Sequence, residues 1–147
     1  VPALVEIDRD AAARRIALVC AGLPAVAAAF FFGSALGRCR PDSDIDVGVI
    51  RRPVEGEDGP ALFRAGLLLE AELISGLGAL GGHPFDVTVL DEAHALFAMT
   101  VLRDGRLCYV GDPDAYTDFL EHVAQAHREN APRYTQALRE VLEEPMP

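Results

Sequence analysis

The chain has 147 residues, of which 50% are hydrophobic and 24% charged, and its length fits one domain over residues 1–147. All 13 basic residues are arginine, so no phosphate loop, Schiff base or kinase-type clamp built on lysine is available. A formal charge of −10 leaves no basic footprint for DNA or RNA. Asp10 is expected to cap a first helix over Ala11–Ala21, ended by Gly22 and Pro24. Ala28–Phe32 reads as a strand buried on both faces. Asp44–Ile50 follows as an alternating strand, with Ile45, Val47 and Val49 on one face and Asp44, Asp46 and Gly48 on the other. Arg51 to Gly59 is a charged loop. Pro60 opens a helix on which Leu62, Gly66, Leu69, Leu73 and Leu77 recur at helical spacing, and Gly76 to Gly82 forms a loose exit. Phe85–Leu90 is a third strand with Asp86 and Thr88 on its polar face. Asp91 is expected to cap a helix ending before Gly105, and Leu107–Val110 a short fourth strand. Asp112-Pro113 starts a helix running towards Glu144, which Pro132 is expected to kink or interrupt. The fold class is therefore α/β: a small mixed sheet with packed helices and a C-terminal helical segment at about 112–144.

Ile16 to Leu36 lacks charge and is long enough to span a bilayer. It is rich in alanine and broken by Gly22-Leu23-Pro24, so a helix end, a turn and a buried strand are expected instead of a membrane span. Cys20, Cys39 and Cys108 are odd in number and widely spaced, which fits free thiols in a reducing cytoplasm. Gly76, Gly78 and Gly81 spell a dinucleotide-loop pattern but follow a helix and lead into a strand, the wrong polarity for that role.

The chemistry concentrates between Phe32 and Val47. Asp44 and Asp46 stand two apart on a strand and project the same way, and such carboxylates repel unless a cation lies between them. Mg²⁺ is held by one or two carboxylates together with substrate phosphates. Ahead of them, Gly33 lets a phosphate approach the backbone, and the Ser34 hydroxyl can bond a phosphate oxygen. Asp86 has the same in-and-out phase on the next strand. If those strands are neighbours, three carboxylates meet on one patch, the equipment of two-metal transfer.

This Gly-Ser, linker, Asp-x-Asp and later Asp pattern resembles the DNA polymerase β-type nucleotidyltransferases. It is most similar to the minimal nucleotidyltransferases encoded beside HEPN-domain toxins, and the likeness covers most of residues 10 to 120. The nine residues between Ser34 and Asp44 make a linker one residue shorter than is usual there. The resemblance implies a single nucleotidyltransferase domain that transfers AMP from Mg·ATP to a hydroxyl. Asp44, Asp46 and Asp86 would be the catalytic and metal-holding groups, and Asp86 would also help deprotonate the acceptor. Gly33 and Ser34 would receive the ATP phosphates. Arg38 or Arg40 would offset charge on the leaving pyrophosphate, or else are solvated loop arginines. The implied acceptor is a tyrosine of a HEPN toxin, with the chain as its antitoxin; a binding-only antitoxin and an aminoglycoside-type transferase are the rival readings. No direct contact with nucleic acid or membrane is expected.

Overall fold

In the computed structural model, residues 3–56 and 58–143 are described. Β-strand β1 (Val5–Glu6) leads into helix α1 (Arg9–Ala21). The cap of α1 is Asp8, not Asp10: the Asp8 carboxylate accepts from the Ala11 N–H at 3.0 Å. Asp10 instead lies in the first turn, where it pairs with Arg106 at 2.8 Å. Strand β2 (Val26–Phe32) carries no polar side chain and is buried along almost its whole length. A short 3-10 turn (Ser34–Leu36) and β3 (Arg38–Cys39) connect it to β4 (Ile45–Arg51). Strand β3 pairs with β1 as a separate two-stranded ribbon.

Helix α2 (Gly59–Leu77) starts on an Asp58 cap, and Gly66, Leu69, Leu73 and Leu77 form its buried stripe. The expected loose exit at Gly76 to Gly82 is more ordered than the glycines suggest. Α2 continues to Leu77, and β5 (Ala79–Leu80) pairs antiparallel with β6 (His83–Val89). The turn between them is made by Gly81 and Gly82, both at positive φ. Gly76 lies in α2 and Gly78 caps it, so the three-glycine pattern belongs to a helix exit and a hairpin.

A second 3-10 turn (Leu90–Glu92) follows β6 and displaces the start of α3 (Ala95–Asp104). Asp91 therefore does not cap that helix. His94 does, its Nδ1 accepting from the Leu96 N–H at 3.1 Å. The Asp91 carboxylate accepts the Arg51 N–H at 2.8 Å, and burial pushes its pKa up. Strand β7 (Arg106–Val110) leads to α4 (Pro113–Glu143), whose start is capped by Asp112 as expected. The helix runs through Pro132 without interruption, although a proline there removes one helical hydrogen bond. Its expected end at Glu144 lies outside the described residues.

The sheet order is β5-β6-β4-β2-β7, with β4 parallel to β6 and the other pairs antiparallel. One face packs Ile16 and Cys20 of α1 and Leu69, Leu73 and Leu77 of α2 against Phe31, Ile45, Val47, Val49, Phe85 and Val87. The other packs Val101 of α3 and Ala115 of α4 against Ala27, Ala28, Phe30 and Ile50. Phe31, Ile45 and Ile50 are fully buried, each contributing about 1.5–3 kcal/mol of transfer free energy. All three cysteines are free. The Ile16–Leu36 stretch is divided between α1, a turn and β2, and among the described residues no helix is long and apolar enough to cross a membrane.

Candidate active site

Strand alternation turns Val47, Val49, Phe85 and Val87 into the core, so Asp46 and Asp86 must face the other way. The parallel ladder then sets Asp46 directly beside Asp86, and the antiparallel ladder sets Phe32 beside Asp46 on the other side. Phe32, Asp46 and Asp86 thus form one row across three strands. Phe97 of α3 meets Phe32 edge-on, with centroids 5.7 Å apart, and bounds the row on its β2 side.

Asp44 lies one residue before β4 and is exposed, as is Asp86, whereas Asp46 is half-buried. This asymmetry decides which carboxyl resists ionisation. Burial first, then the charges of Asp86 and Asp44, push the Asp46 pKa from 3.8 up to about 6. Asp86→Asn is expected to lower the Asp46 titration midpoint while leaving it above the ordinary carboxylate value, because the burial remains. Carboxyl-carbon NMR of the metal-free protein over about pH 3–8 measures it; an unmoved midpoint would show that the two groups share no field.

The donor set suits a hard cation. It is all oxygen; beyond the burial that contributes most to the raised Asp46 pKa, the charges of Asp86 and Asp44 add to it, and a divalent ion relieves that part. Among the described residues no three His, Cys, Asp or Glu side chains form a ready-made metal cage. Asp86 lies beside Asp46, and Asp44 acts on Asp46 through its charge, but the three carboxylates expected to meet on one patch do not form a ready-made group, and the chain supplies only part of a coordination shell. Magnesium bound through one or two carboxylates, with phosphate and water completing the shell, matches such a partial site.

Gly33 closes the site from the β2 side. Its backbone stands at φ +85° and ψ −163°, a region open essentially only to glycine. A Cβ there would collide with the Asp46 carboxylate, so bare backbone lies directly against this aspartate. Ser34, exposed, begins the 3-10 turn. Arg9 ties that turn to α1 by donating to the Leu36 carbonyl at 2.7 Å. The two candidate arginines are placed differently. Arg38 is exposed on β3, opposite Glu6 in the ribbon. Arg40 makes an exposed pair with Asp42 at 3.2 Å, the kind of contact that contributes little and opens readily.

Sequence reasoning passed over His83. It is buried, and its Nδ1 lies 2.8 Å from the Ser43 carbonyl, the residue before Asp44. The only signal was the position of His83-Pro84 at the head of the strand that carries Asp86.

The polymerase beta nucleotidyltransferase family profile matches residues 14–114. No curated protein sequence matches the chain. Among solved structures, the fold aligns with a crystal structure of the MntA–HepT toxin–antitoxin at 18% identity and a TM-score of 0.58, covering 92% of this chain and 99% of that one. A tri-AMPylated Shewanella oneidensis HEPN toxin in complex with MNT antitoxin aligns at 19% identity and TM-score 0.58, with the same coverage. A toxin–antitoxin with AMP-PNP aligns at 18% identity and TM-score 0.55, covering 90% of this chain and 98% of that one. The matched profile spans the Gly33-Ser34 turn, the Asp44-x-Asp46 strand and Asp86, and with it the chain belongs to the polymerase beta nucleotidyltransferase family.

Proposed function

We propose that the chain is an antitoxin that transfers AMP from ATP to a tyrosine hydroxyl of a HEPN-type partner. The observation that carries this reading is the row itself: Asp46 beside Asp86, with Asp44 near enough to act on it and the Gly33 backbone against it. The acceptor oxygen would form a bond to the α-phosphorus as the bond to the pyrophosphate breaks. The acceptor proton passes to a carboxylate, and exposed Asp86 is the group best placed to take it. Asp44 and Asp46, with Asp86 beside them, would hold magnesium, which would neutralise phosphate charge and sharpen the electrophilic phosphorus. The Gly33-Ser34 turn receives the phosphates, where a side chain at Gly33 would leave no room.

A protein acceptor is favoured because Asp44 and Asp86, on either side of half-buried Asp46, are both exposed, so a partner can bring its own hydroxyl to them. The net charge of −10 would draw a basic partner, with a salt-sensitive association rate. In the aligned Shewanella complex it is the HEPN toxin that is AMPylated.

Saturating Mg·ATP is expected to raise the melting temperature. At about 100 times Kd, ligand linkage contributes about 2.7 kcal/mol, or roughly 5–10 °C for a chain of this size. Mixing the chain, the protein encoded beside it and α-labelled ATP, then mapping label by mass spectrometry, identifies the acceptor. AMP on a partner tyrosine supports the proposal. An unmodified but inhibited partner would make the chain a binding-only antitoxin, and label on a small hydroxyl compound would make it a small-molecule transferase.

A further inference from the structure

The start of β4 needs an anchor that the sheet does not supply. Asp44 sits one residue outside the ladder, which begins where Ile45 pairs with Phe85. To hold the chain further back, β6 would have to offer a main-chain N–H to the Ser43 carbonyl. His83 pairs by its backbone with Leu80 of β5, and neither of the next two residues can. Pro84 has no N–H, and the Phe85 N–H donates to the Gly78 carbonyl at 3.4 Å on the β5 side. The His83 imidazole fills the gap, its Nδ1 lying 2.8 Å from the Ser43 oxygen. A carbonyl only accepts, so Nδ1 carries the proton. His83 is 9% exposed and stands at the start of β6, where its backbone pairs with Leu80 of β5.

We infer that His83 is a positioning residue for Asp44. Its hydrogen bond fixes the plane of the Ser43–Asp44 peptide, and so the direction in which the Asp44 carboxylate leaves the chain. The turn before it is closed on its other side by the Ser43 N–H donating to the Arg40 carbonyl at 3.0 Å. Ser43 is thereby held at both its N–H and its C=O, and Asp44 extends from a clamped residue. This inference rests on the proposed reading of Asp44 as a metal-holding group. Groups that orient a metal-holding side chain commonly change affinity by about 10–100-fold when lost.

The test uses Mn²⁺ with ATP as the probe, its binding to the full chain followed by electron paramagnetic resonance, beside melting curves without metal. His83→Leu fills the space but donates nothing and is expected to weaken Mn²⁺ binding by about tenfold. In His83→Asn the side-chain amide nitrogen stands close to where Nδ1 was, and binding is expected to recover to within about threefold of wild type. In His83→Gln the donor is displaced, so it should behave like His83→Leu and serves in its place if the leucine variant does not fold. A purely structural role would lower the melting temperature and leave Mn²⁺ affinity of the folded protein unchanged; that result, or a failure of Asn to rescue, overturns the inference. Asp46→Asn is the control. If it alone loses Mn²⁺, the site stands and the role of His83 falls; if wild type and Asp46→Asn bind alike, the site reading and the inference fall together.

Discussion

Asp46→Asn is expected to cut AMP transfer by about a thousandfold while making the metal-free protein more stable at neutral pH. The loss corresponds to roughly 4 kcal/mol of transition-state stabilisation, the scale on which single preorganised charged groups act. Asparagine keeps the shape of the side chain and removes only its charge. The stability gain follows from the pKa. Asp46 titrates at 3.8 when unfolded and at about 6 in the fold, so the folded state holds its proton more tightly. Between those two values, stability of the metal-free wild type falls as pH rises, and above about 6 the loss is complete. Asp46→Asn does not titrate and escapes this loss. Its advantage should therefore be largest above pH 6 and vanish below about pH 4. Single-turnover transfer assays and melting curves at several pH values measure both effects together. Wild-type transfer by Asp46→Asn would remove Asp46 from the chemistry. A variant that melts lower at neutral pH would show that its carboxylate is held by favourable contacts, contrary to the crowding described.

Gly33→Ala is expected to damage both fold and site, by two separable routes. The first is backbone strain: at φ +85° and ψ −163° an L-residue costs about 1–3 kcal/mol, or roughly 3–10 °C of melting temperature in a chain of this length. The second is the collision of the new methyl group with the Asp46 carboxylate, which must rotate away or push the turn outward. Either movement displaces the phosphate-receiving turn relative to the aspartate, and transfer should fall at least about a hundredfold, as misplacement of a reacting group commonly costs. A double-mutant cycle with Asp46→Ala separates the two routes. Truncating Asp46 removes the colliding atoms but not the strain, so the stability cost of Gly33→Ala should shrink without disappearing. Strict additivity would mean that the turn and the aspartate do not touch.

Much of the site is legible before any fold is known. Because side chains alternate along a strand, the apolar residues at 45, 47 and 49 dictate that Asp46 faces away from the core, and Val87 and Val89 do the same for Asp86. The break at Gly33 after an uncharged run likewise marks where β2 must end, and Asp112-Pro113 marks the start of α4 as the structure has it. These are properties of a few adjacent residues, decided by local backbone geometry. Caps were less secure. Asp8 and Asp10 are chemically alike, and only the path of the chain out of β1 selects Asp8. Asp91 lost its expected role because a 3-10 turn intervenes and the Arg51 N–H claims its carboxylate.

What the local pattern leaves open is which strands adjoin. Nothing in the alternation of β4 or β6 says that they are parallel neighbours. Yet that pairing brings Asp86 beside Asp46, where its charge adds to burial in raising the Asp46 pKa. The contact of Gly33 with Asp46 needs β2 in register on the other side, and the bond from His83 to Ser43 needs β6 to begin where the β4 ladder runs out of donors. Composition, charge and the carboxylate pattern were thus properties of the sequence by itself. The acidity of the site and its anchoring were decided by tertiary structure, because a carboxylate responds to charges and burial a few ångströms away in space, however far apart those groups lie along the chain.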